Sequence, residues 1–368
     1  MKIICQKALL VEAVSNVSRA VSSKSPIPAL EGILIKAAGN QISLVGYDLE
    51  LGIVTSMEAD VKEEGQVVLT ARLLLDIIRR IPSETISIHC DEKQLCLIKG
   101  GVSEFTILGI PASDYPELPS VDESSNLVLK QGVLKSMIDQ TLFAIATTDS
   151  KPVHTGSLFD IKNENITLVS VDGFRLALRK EPFISDKEYS FIVPGKTLGE
   201  VSKLLKEEDN EVSMVVSHKH IIFQIDGYHV ISRLLEGDFL NYEAAIPKTE
   251  KTSIEVSTRL LLEGIERTSL LISDRLRSPL KMNMSDEKIR ISCNTTMGKA
   301  YDEVDCKIEG EGIFMGFNNK YLLDALKASD CDMVKLLING PVSPMRVVPM
   351  EGESFLFLVL PVRVKNDD

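Results

Sequence analysis

The sequence contains no run of about 18 apolar residues, the length a helix needs to cross a bilayer, although 44% of its 368 residues are hydrophobic. The expectation is a soluble globular chain, too long for one ordinary core and sized for two or three domains. A long apolar segment is also missing near the start. The opening MKIICQKALL is interrupted by Gln6 and Lys7 and offers no small-residue cleavage site, so a cytoplasmic location is expected. Cysteine is sparse and unpaired in pattern. Cys5, Cys90, Cys96, Cys293, Cys306 and Cys331 form no CxxC pair and no metal-like spacing with histidine, so reduced structural thiols are expected, with no metal and no cofactor. The HKH string at His218 to His220 lies between two strand patterns, EVSMVVS and IIFQI, where a hairpin turn with solvated side chains belongs.

Motifs of catalysis are absent as well. GxSxG, GxxxxGKS/T, HExxH and a GxGxxG at a strand-to-helix junction do not occur. VPGKTLGEV from Val193 carries a GKT triplet, but no glycine stands five residues upstream of Gly195, and the stretch aligns with helix starts elsewhere in the chain. No catalytic residue is assigned, and the protein is expected not to be an enzyme. A basic excess is lacking too: the net charge is −12, opposite in sign to that of proteins that grip DNA through many phosphate contacts.

What the sequence does have is a repeat. ARLLLDIIRRIP from Ala71, GKTLGEVSKLLK from Gly195 and NKYLLDALKASD from Asn319 share an apolar pair followed by an acid. The acids Asp76, Glu200 and Asp324 are spaced 124 residues apart. An earlier helical pattern recurs as ALLVEAVSNVSRAV after Lys7, VLKSMIDQTLFAIA from Val133 and RLLLEGIERTSLLI from Arg259. A strand recurs as ISLVGYD, ITLVSVD and IRISCN, and the first two copies close alike on ASDYPELP and DFLNYEAAIP. Alternating apolar strands with tight turns at Gly39-Asn40 and Asp226-Gly227 leave no room for parallel crossovers. The reading is α+β: three repeated domains, each with two helices packed on antiparallel sheet, over residues 1–120, 127–248 and 252–368. The polar stretches SVDESSN and PKTEKTS serve as linkers.

Charge divides along the same lines. The six predicted helices carry thirteen basic and seven acidic residues, a net +6 that leaves −18 for the remainder. Positive helices and negative strands are the arrangement expected if helices face a polyanion and the exterior discourages non-specific sticking.

Seven strings in the right order give the chain a specific resemblance. PIPALEGILI from Pro26, GYDLEL from Gly46, ASDYPELP from Ala112, VDGFRLAL from Val171, FIVPGKTL from Phe191, GFNNKYLLDAL from Gly316 and LVLPVRV from Leu358 resemble the bacterial sliding clamps, beta subunits of the replicative DNA polymerase III. The resemblance spans essentially the whole chain. It implies a DNA clamp fold and a head-to-tail homodimer closing into a ring around duplex DNA, with helices lining the hole. Such a ring tethers the polymerase for processivity without binding a particular DNA sequence. Lys24, Lys151, Lys196 and Arg277 are implied near the DNA path, and the helix pattern adds Arg72 and Lys203. At the ring joint Phe105 and Ile107 of one chain are implied to meet Leu270 and Leu271 of the other.

The resemblance further implies a pocket in which polymerase, clamp loader and repair proteins dock short linear peptides. Carried over position by position, it comprises His154, Val171, Gly173, Phe174, Arg175, Leu176, Leu240, Ala245, Tyr321, Val342, Pro344, Leu358 and Leu360. Three of these depart from the family pattern: His154 replaces an apolar residue, Phe174 a common histidine and Leu240 a common proline. The acidic KNDD tail is expected close to the pocket mouth. The rival reading is a repeat scaffold that binds proteins without encircling DNA, and the helix charge bias is the feature that separates the two.

Overall fold

The computed structural model describes residues 1–119, 125–148, 150–273 and 278–364. Seven α-helices occur among them: α1 (Lys7–Val17), α2 (Ala71–Arg80), α3 (Gln131–Thr141), α4 (Gly195–Leu204), α5 (Tyr242–Ala245), α6 (Thr258–Ser269) and α7 (Asn319–Ser329). Apart from the single-turn α5, these are the two helices per repeat read from the sequence. Each long helix whose burial is resolved hides one stripe. Leu10, Ala13, Val14 and Val17 line α1, Ala71, Leu74, Ile77 and Ile78 line α2, and Leu261, Gly264, Ile265 and Thr268 are buried on α6. That i, i+3, i+4 spacing is one face of a 3.6-residue helix. The ends are held locally. The Ser257 hydroxyl accepts the Leu260 N–H at the start of α6, and the Asn318 side chain accepts the Lys320 N–H at the start of α7. At the far end of α2, the Lys7 ammonium donates to the carbonyls of Arg79 and Ile81, placing a cation on the negative helix terminus.

The strands follow the same 124-residue period. Gly32–Ala38, Gln41–Tyr47 and Leu51–Glu58 recur as Gly156–Lys162, Asn165–Val171 and Arg175–Pro182, then as Leu280–Ser285, Lys288–Thr295 and Gly298–Gly310. All named pairings are antiparallel, as the short connections require. The first hairpin turns on Gly39-Asn40, with Gly39 at φ 58°. The one between His220–Ile225 and Tyr228–Arg233 turns on Asp226 (φ 44°) and Gly227 (φ 84°), where glycine carries the left-handed backbone without strain. His218 and Lys219 stand exposed in the turn before His220 begins its strand.

The chain divides into two compact units, residues 1–135 with 200–234 and residues 136–199 with 235–368. In the first unit, a five-stranded sheet lies beside an eight-stranded one, in which Leu51–Glu58 of the first repeat pairs with Tyr228–Arg233 of the second. In the second unit one twelve-stranded sheet runs through the second and third repeats, joined where Arg175–Pro182 pairs with Phe355–Val359. The middle repeat therefore contributes strands to both units, because the last strands of the second and third repeats each complete the sheet of the repeat before. The largest core of the second unit buries Leu261, Ile265, Phe317, Leu322, Leu336, Phe357 and their neighbours between the sheet and the paired helices α6 and α7.

Two expectations need correction. The cysteines are not all reduced: in the hairpin of Thr85–Cys90 and Leu95–Gly100 the register sets Cys90 directly opposite Cys96, with Cα atoms 4.0 Å apart, and the two form a disulfide. Strand register, which spacing alone does not reveal, brings them together. Cys5, Cys293, Cys306 and Cys331 are free, and burial pushes the Cys5 thiol up to about 11. The helix charge bias is also smaller than counted. Arg19 falls in the 3-10 turn Ser18–Ala20 and Lys206 lies past the end of α4, so the six long helices carry eleven basic and seven acidic residues, a net +4. Among the described residues no helix is long and apolar enough to cross a membrane.

Candidate functional site

The site in the second unit is organised by the turn between Asn165–Val171 and Arg175–Pro182. Asp172 makes this turn with its side chain, Oδ1 accepting the N–H groups of Phe174 (2.9 Å) and Arg175 (3.1 Å). Gly173 sits at φ 92° with open space where a Cβ would go, so the turn needs glycine for its backbone and not for room. The consequence is that Phe174 is thrown outward, 59% exposed, with its ring stacked 6.1 Å from that of Tyr321.

Arg175 turns inward from the same loop and is buried. Its Nε donates to Asp172 Oδ2 at 2.9 Å and its Nη1 to Asp324 Oδ2 at 2.5 Å. The guanidinium lies 4.5 Å from the centroid of the Tyr321 ring and 5.3 Å from that of Phe143. One cation thus satisfies two carboxylates and fills an aromatic slot, a geometry suited to the planar, weakly hydrated guanidinium. Asp324 is the third of the acids that repeat every 124 residues. Its place in the repeat is general, and only here does it hold the base of an exposed turn.

Beside the turn lies an apolar floor. Register places Val171 opposite Leu176 and Leu176 opposite Leu358, while Val169 and Leu356 flank Leu178. Because strand side chains alternate, these residues share one face. With Leu158, Ile192 and Tyr242 they form a cluster, edged by the half-buried Val153, Phe239, Ile246 and Leu360. Leu360 is tied to the turn by its N–H, which donates to the Phe174 carbonyl at 2.9 Å. Tyr242 is anchored from below: its hydroxyl donates to Asp160 at 2.6 Å, and Lys162 reaches both Asp160 (2.9 Å) and Glu243 (3.0 Å). Burial, then the bond to Asp160, pushes the Tyr242 phenol far above its ordinary range.

His154 is buried edge-on to Phe239, with ring centroids 5.5 Å apart. Burial and the nearby Lys151 charge lower its pKa below the ordinary 6.5, against a smaller opposing effect of Asp172. The unfolded chain therefore takes up the proton more readily, so this contribution to stability is full above about pH 6.5 and is lost as pH falls from there through the folded value. An NMR titration of His154 is expected to give a midpoint below 6.5; a midpoint at or above 6.5 contradicts the packing described.

Of the residues expected in the pocket, the fold gathers Val171, Gly173, Phe174, Arg175, Leu176, Tyr321, Leu358 and Leu360, with His154 reached through Phe239. Leu240 and Ala245 are exposed, next in the chain to the cluster residues Phe239 and Ile246, and Pro344 is half-exposed. Val342 lines a different cavity of about 690 Å³ with Phe314, Pro361 and Val362. The sequence reading missed Phe143, Phe239, Tyr242 and Asp324. A signal for Tyr242 existed in the shared closing strings, whose first copy supplies Tyr115, a buried tyrosine donating to the Val45 carbonyl at 3.1 Å.

The remaining expected residues fall as follows. In the first unit Lys24, Arg72 and Lys203 are exposed, Lys203 in an ion pair with Glu200 at 2.8 Å. In the second unit Lys151 and Lys196 are exposed. Arg277 and the tail from Lys365 to Asp368 lie outside the described residues. Phe105 (38% exposed) and the half-buried Ile107 stand on Ser103–Leu108, the edge strand of the five-stranded sheet. Leu270 ends α6, 82% exposed, with Leu271 next to it.

Comparison with known proteins adds three findings. Models of the DNA polymerase III beta subunit match in sequence order, the N-terminal domain over residues 1–119, the central domain over 128–241 and the C-terminal domain over 243–363. The beta sliding clamp of Bacillus subtilis is 33% identical, with 99% of this chain and 100% of that protein covered. Among solved structures, the DNA polymerase sliding clamp from Bacillus subtilis superposes with a TM-score of 0.96 at 32% identity, covering 99% of this chain and 100% of that one. A DNA polymerase III beta subunit from Eubacterium rectale gives 0.94 at 34% identity, covering 98% and 99%.

Proposed function

The chain belongs to the DNA polymerase III beta subunit family, and from that premise we propose that it is a non-catalytic sliding clamp, a cytoplasmic homodimeric ring that encircles duplex DNA. In this reading the ring tethers the replicative polymerase and presents the Val171, Leu176, Leu358 and Leu360 surface to short peptides of the polymerase, clamp loader and repair proteins. The three repeats, with boundaries near residues 1–120, 127–248 and 252–368, are its domains.

The observation that carries the ring is the inheritance of strand pairing. The last strand of the second repeat, Tyr228–Arg233, pairs with Leu51–Glu58 of the first, and the last strand of the third, Phe355–Val359, pairs with Arg175–Pro182 of the second. One partner of each kind is left over. Ser103–Leu108, the last strand of the first repeat, pairs among the described residues only with Leu95–Gly100. Gly298–Gly310 is the third repeat's counterpart of Leu51–Glu58 and Arg175–Pro182; its residues 306–310 pair with Thr252–Ser257, but residues 298–305 pair among the described residues only with Lys288–Thr295. A second copy supplies each missing neighbour, so two chains close head to tail through two equal joints and remove both open edges. The helix ends support the same joint. Phe143, just past α3, packs edge-on against Phe357 of the following repeat at 5.4 Å, and Leu270 occupies the corresponding region just past α6.

A closed ring holds DNA by topology, so phosphate contacts can be few and loose, and an overall acidic chain suffices. Exposed Lys24, Arg72 and Lys151, with no ion pair among the described residues, are the cations free to meet a passing backbone. The test is retention. Protein loaded by its clamp loader onto nicked circular DNA is expected to stay through gel filtration and to be lost when the circle is linearised. Equal retention on both forms would place the protein among scaffolds that do not encircle DNA.

A further inference from the structure

The second unit holds a cavity of about 610 Å³ at the far end of the docking floor. It is lined by Leu178, Leu356, Tyr242 and Ile246, with Lys180 and Lys248 at its rim. Its volume is that of an ordinary ligand site, about 300–1,000 Å³. The cavity and the docking floor are one continuous apolar surface. Leu178, Leu356, Tyr242 and Ile246 belong to the same cluster as Val171, Leu176 and Leu358. Leu176 and Leu358 form one cross-strand pair, and Leu178 and Leu356 form the next pair on the same face, two residues along both strands. At roughly 3.3 Å per residue that step is about 7 Å, which two residues of an extended peptide cover.

Charge separates the two halves. At the docking turn the charges are paired within the Asp172, Arg175 and Asp324 cluster, whereas the cavity carries Lys162, Lys180, Lys248 and Arg346 against Glu243 and Glu353. Lys162 is held by Asp160 and Glu243, and Arg346 donates to Glu250 at 2.8 Å and to the Thr249 carbonyl at 3.1 Å. Lys180 and Lys248 have no carboxylate partner among the described residues, and Glu353 is the remaining acid of the lining. Two unpaired ammonium groups over an apolar floor, on a chain of net charge −12, select an occupant that is apolar and acidic together.

We propose that this cavity takes the acidic flank of the peptide whose apolar anchors fill the adjoining pocket, so that one extended segment reads both. The inference rests on the docking reading above and adds to it a preference for aspartate or glutamate interleaved with an apolar residue, about two residues beyond the last anchor. A partner peptide lacking that flank occupies the pocket alone.

The test compares fluorescent peptides on the full chain by anisotropy. One is a hexapeptide with leucine and phenylalanine anchors, and the others carry Asp-Leu-Asp added at the N-terminus or at the C-terminus. One of the two extensions is expected to tighten binding about tenfold, as two partly desolvated ion pairs and a buried leucine allow. The gain is expected to shrink with salt and to vanish in the Lys180→Glu, Lys248→Glu double variant. That variant should bind the hexapeptide unchanged, which also certifies its fold. No gain from either extension, or a gain that survives the double substitution, overturns the inference. Failure of the docking reading looks different: hexapeptide binding indifferent to Leu360→Ala removes the pocket itself, and the inference with it.

Discussion

Ile107→Asp is expected to turn the dimer into a monomer, raising its dissociation constant about a thousandfold. The residue is half-buried on Ser103–Leu108, a strand that pairs on one side only and also presents Phe105 and, 72% exposed, Leu108. In the proposed ring this strand is covered by Gly298–Gly310 of the second copy, so the substitution leaves a carboxylate without a partner at a newly buried edge. That costs about 2 kcal/mol or more per joint. A two-fold dimer contains the joint twice, and about 4 kcal/mol corresponds to roughly three decades in affinity. The free chain is expected to melt slightly lower, since Ile107 is already half-buried in the single chain and its apolar contact is lost. Sedimentation across a concentration series reads the first quantity and calorimetry at monomeric dilution the second. An unchanged dimer constant would remove this strand from the joint.

The second large effect is expected at Arg175. Arg175→Ala leaves Asp172 and Asp324 facing an empty slot between Tyr321 and Phe143, with the carboxylates having lost their shared cation. Removing one member of such a buried pair costs about 3–5 kcal/mol. In a unit of this size that lowers the melting temperature by about 6–12 °C at the smaller figure. The turn that presents Phe174 loses its anchor with the arginine, so peptide affinity falls along with stability. Arg175→Lys is expected to recover little of either, because an ammonium cannot address two carboxylates and two ring faces at once. A lysine variant with full stability and full affinity would show that only the charge is needed.

How much of this could be read from residues alone depends on whether the signal is local or made by register. The repeat was legible because each copy restates it: acids 124 residues apart, glycine turns at Gly39 and Gly227, and apolar stripes such as Leu10, Ala13, Val14 and Val17. The antiparallel α+β class followed from the same short connections. The division into two units was not legible. It depends on which strand completes which sheet, and Leu51–Glu58 carries no mark that its neighbour lies about 170 residues on. The Cys90–Cys96 disulfide was hidden for the same reason, because a six-residue separation becomes a contact only in this hairpin register.

The proposed docking surface was legible in part. VDGFRLAL placed Gly173, Phe174, Arg175 and Leu176 in the expected pocket, but did not reveal that Phe174 would be exposed and Arg175 buried. Its floor draws on Leu358, Ile192 and Tyr242 from distant strands and a single-turn helix, and alternation alone cannot align them. Leu240 and Ala245 are exposed beside the cluster residues Phe239 and Ile246, and Val342 is exposed in a neighbouring cavity, so the buried cluster alone does not identify them. The helices carry a smaller net positive charge than the sequence count gives, because they stop before Lys206 and leave Arg19 in a following turn.

The most direct measurement of the central claim is the solution mass by light scattering, joined to a small-angle scattering envelope of the same sample. Three repeats per chain, with the strand Ser103–Leu108 open on one side and residues 298–305 of Gly298–Gly310 open on one side, predict twice the chain mass and a flat ring with a central hole wide enough for duplex DNA. A particle of single chain mass at micromolar concentration, or a dimer whose envelope is solid or open, would contradict closure by paired edges.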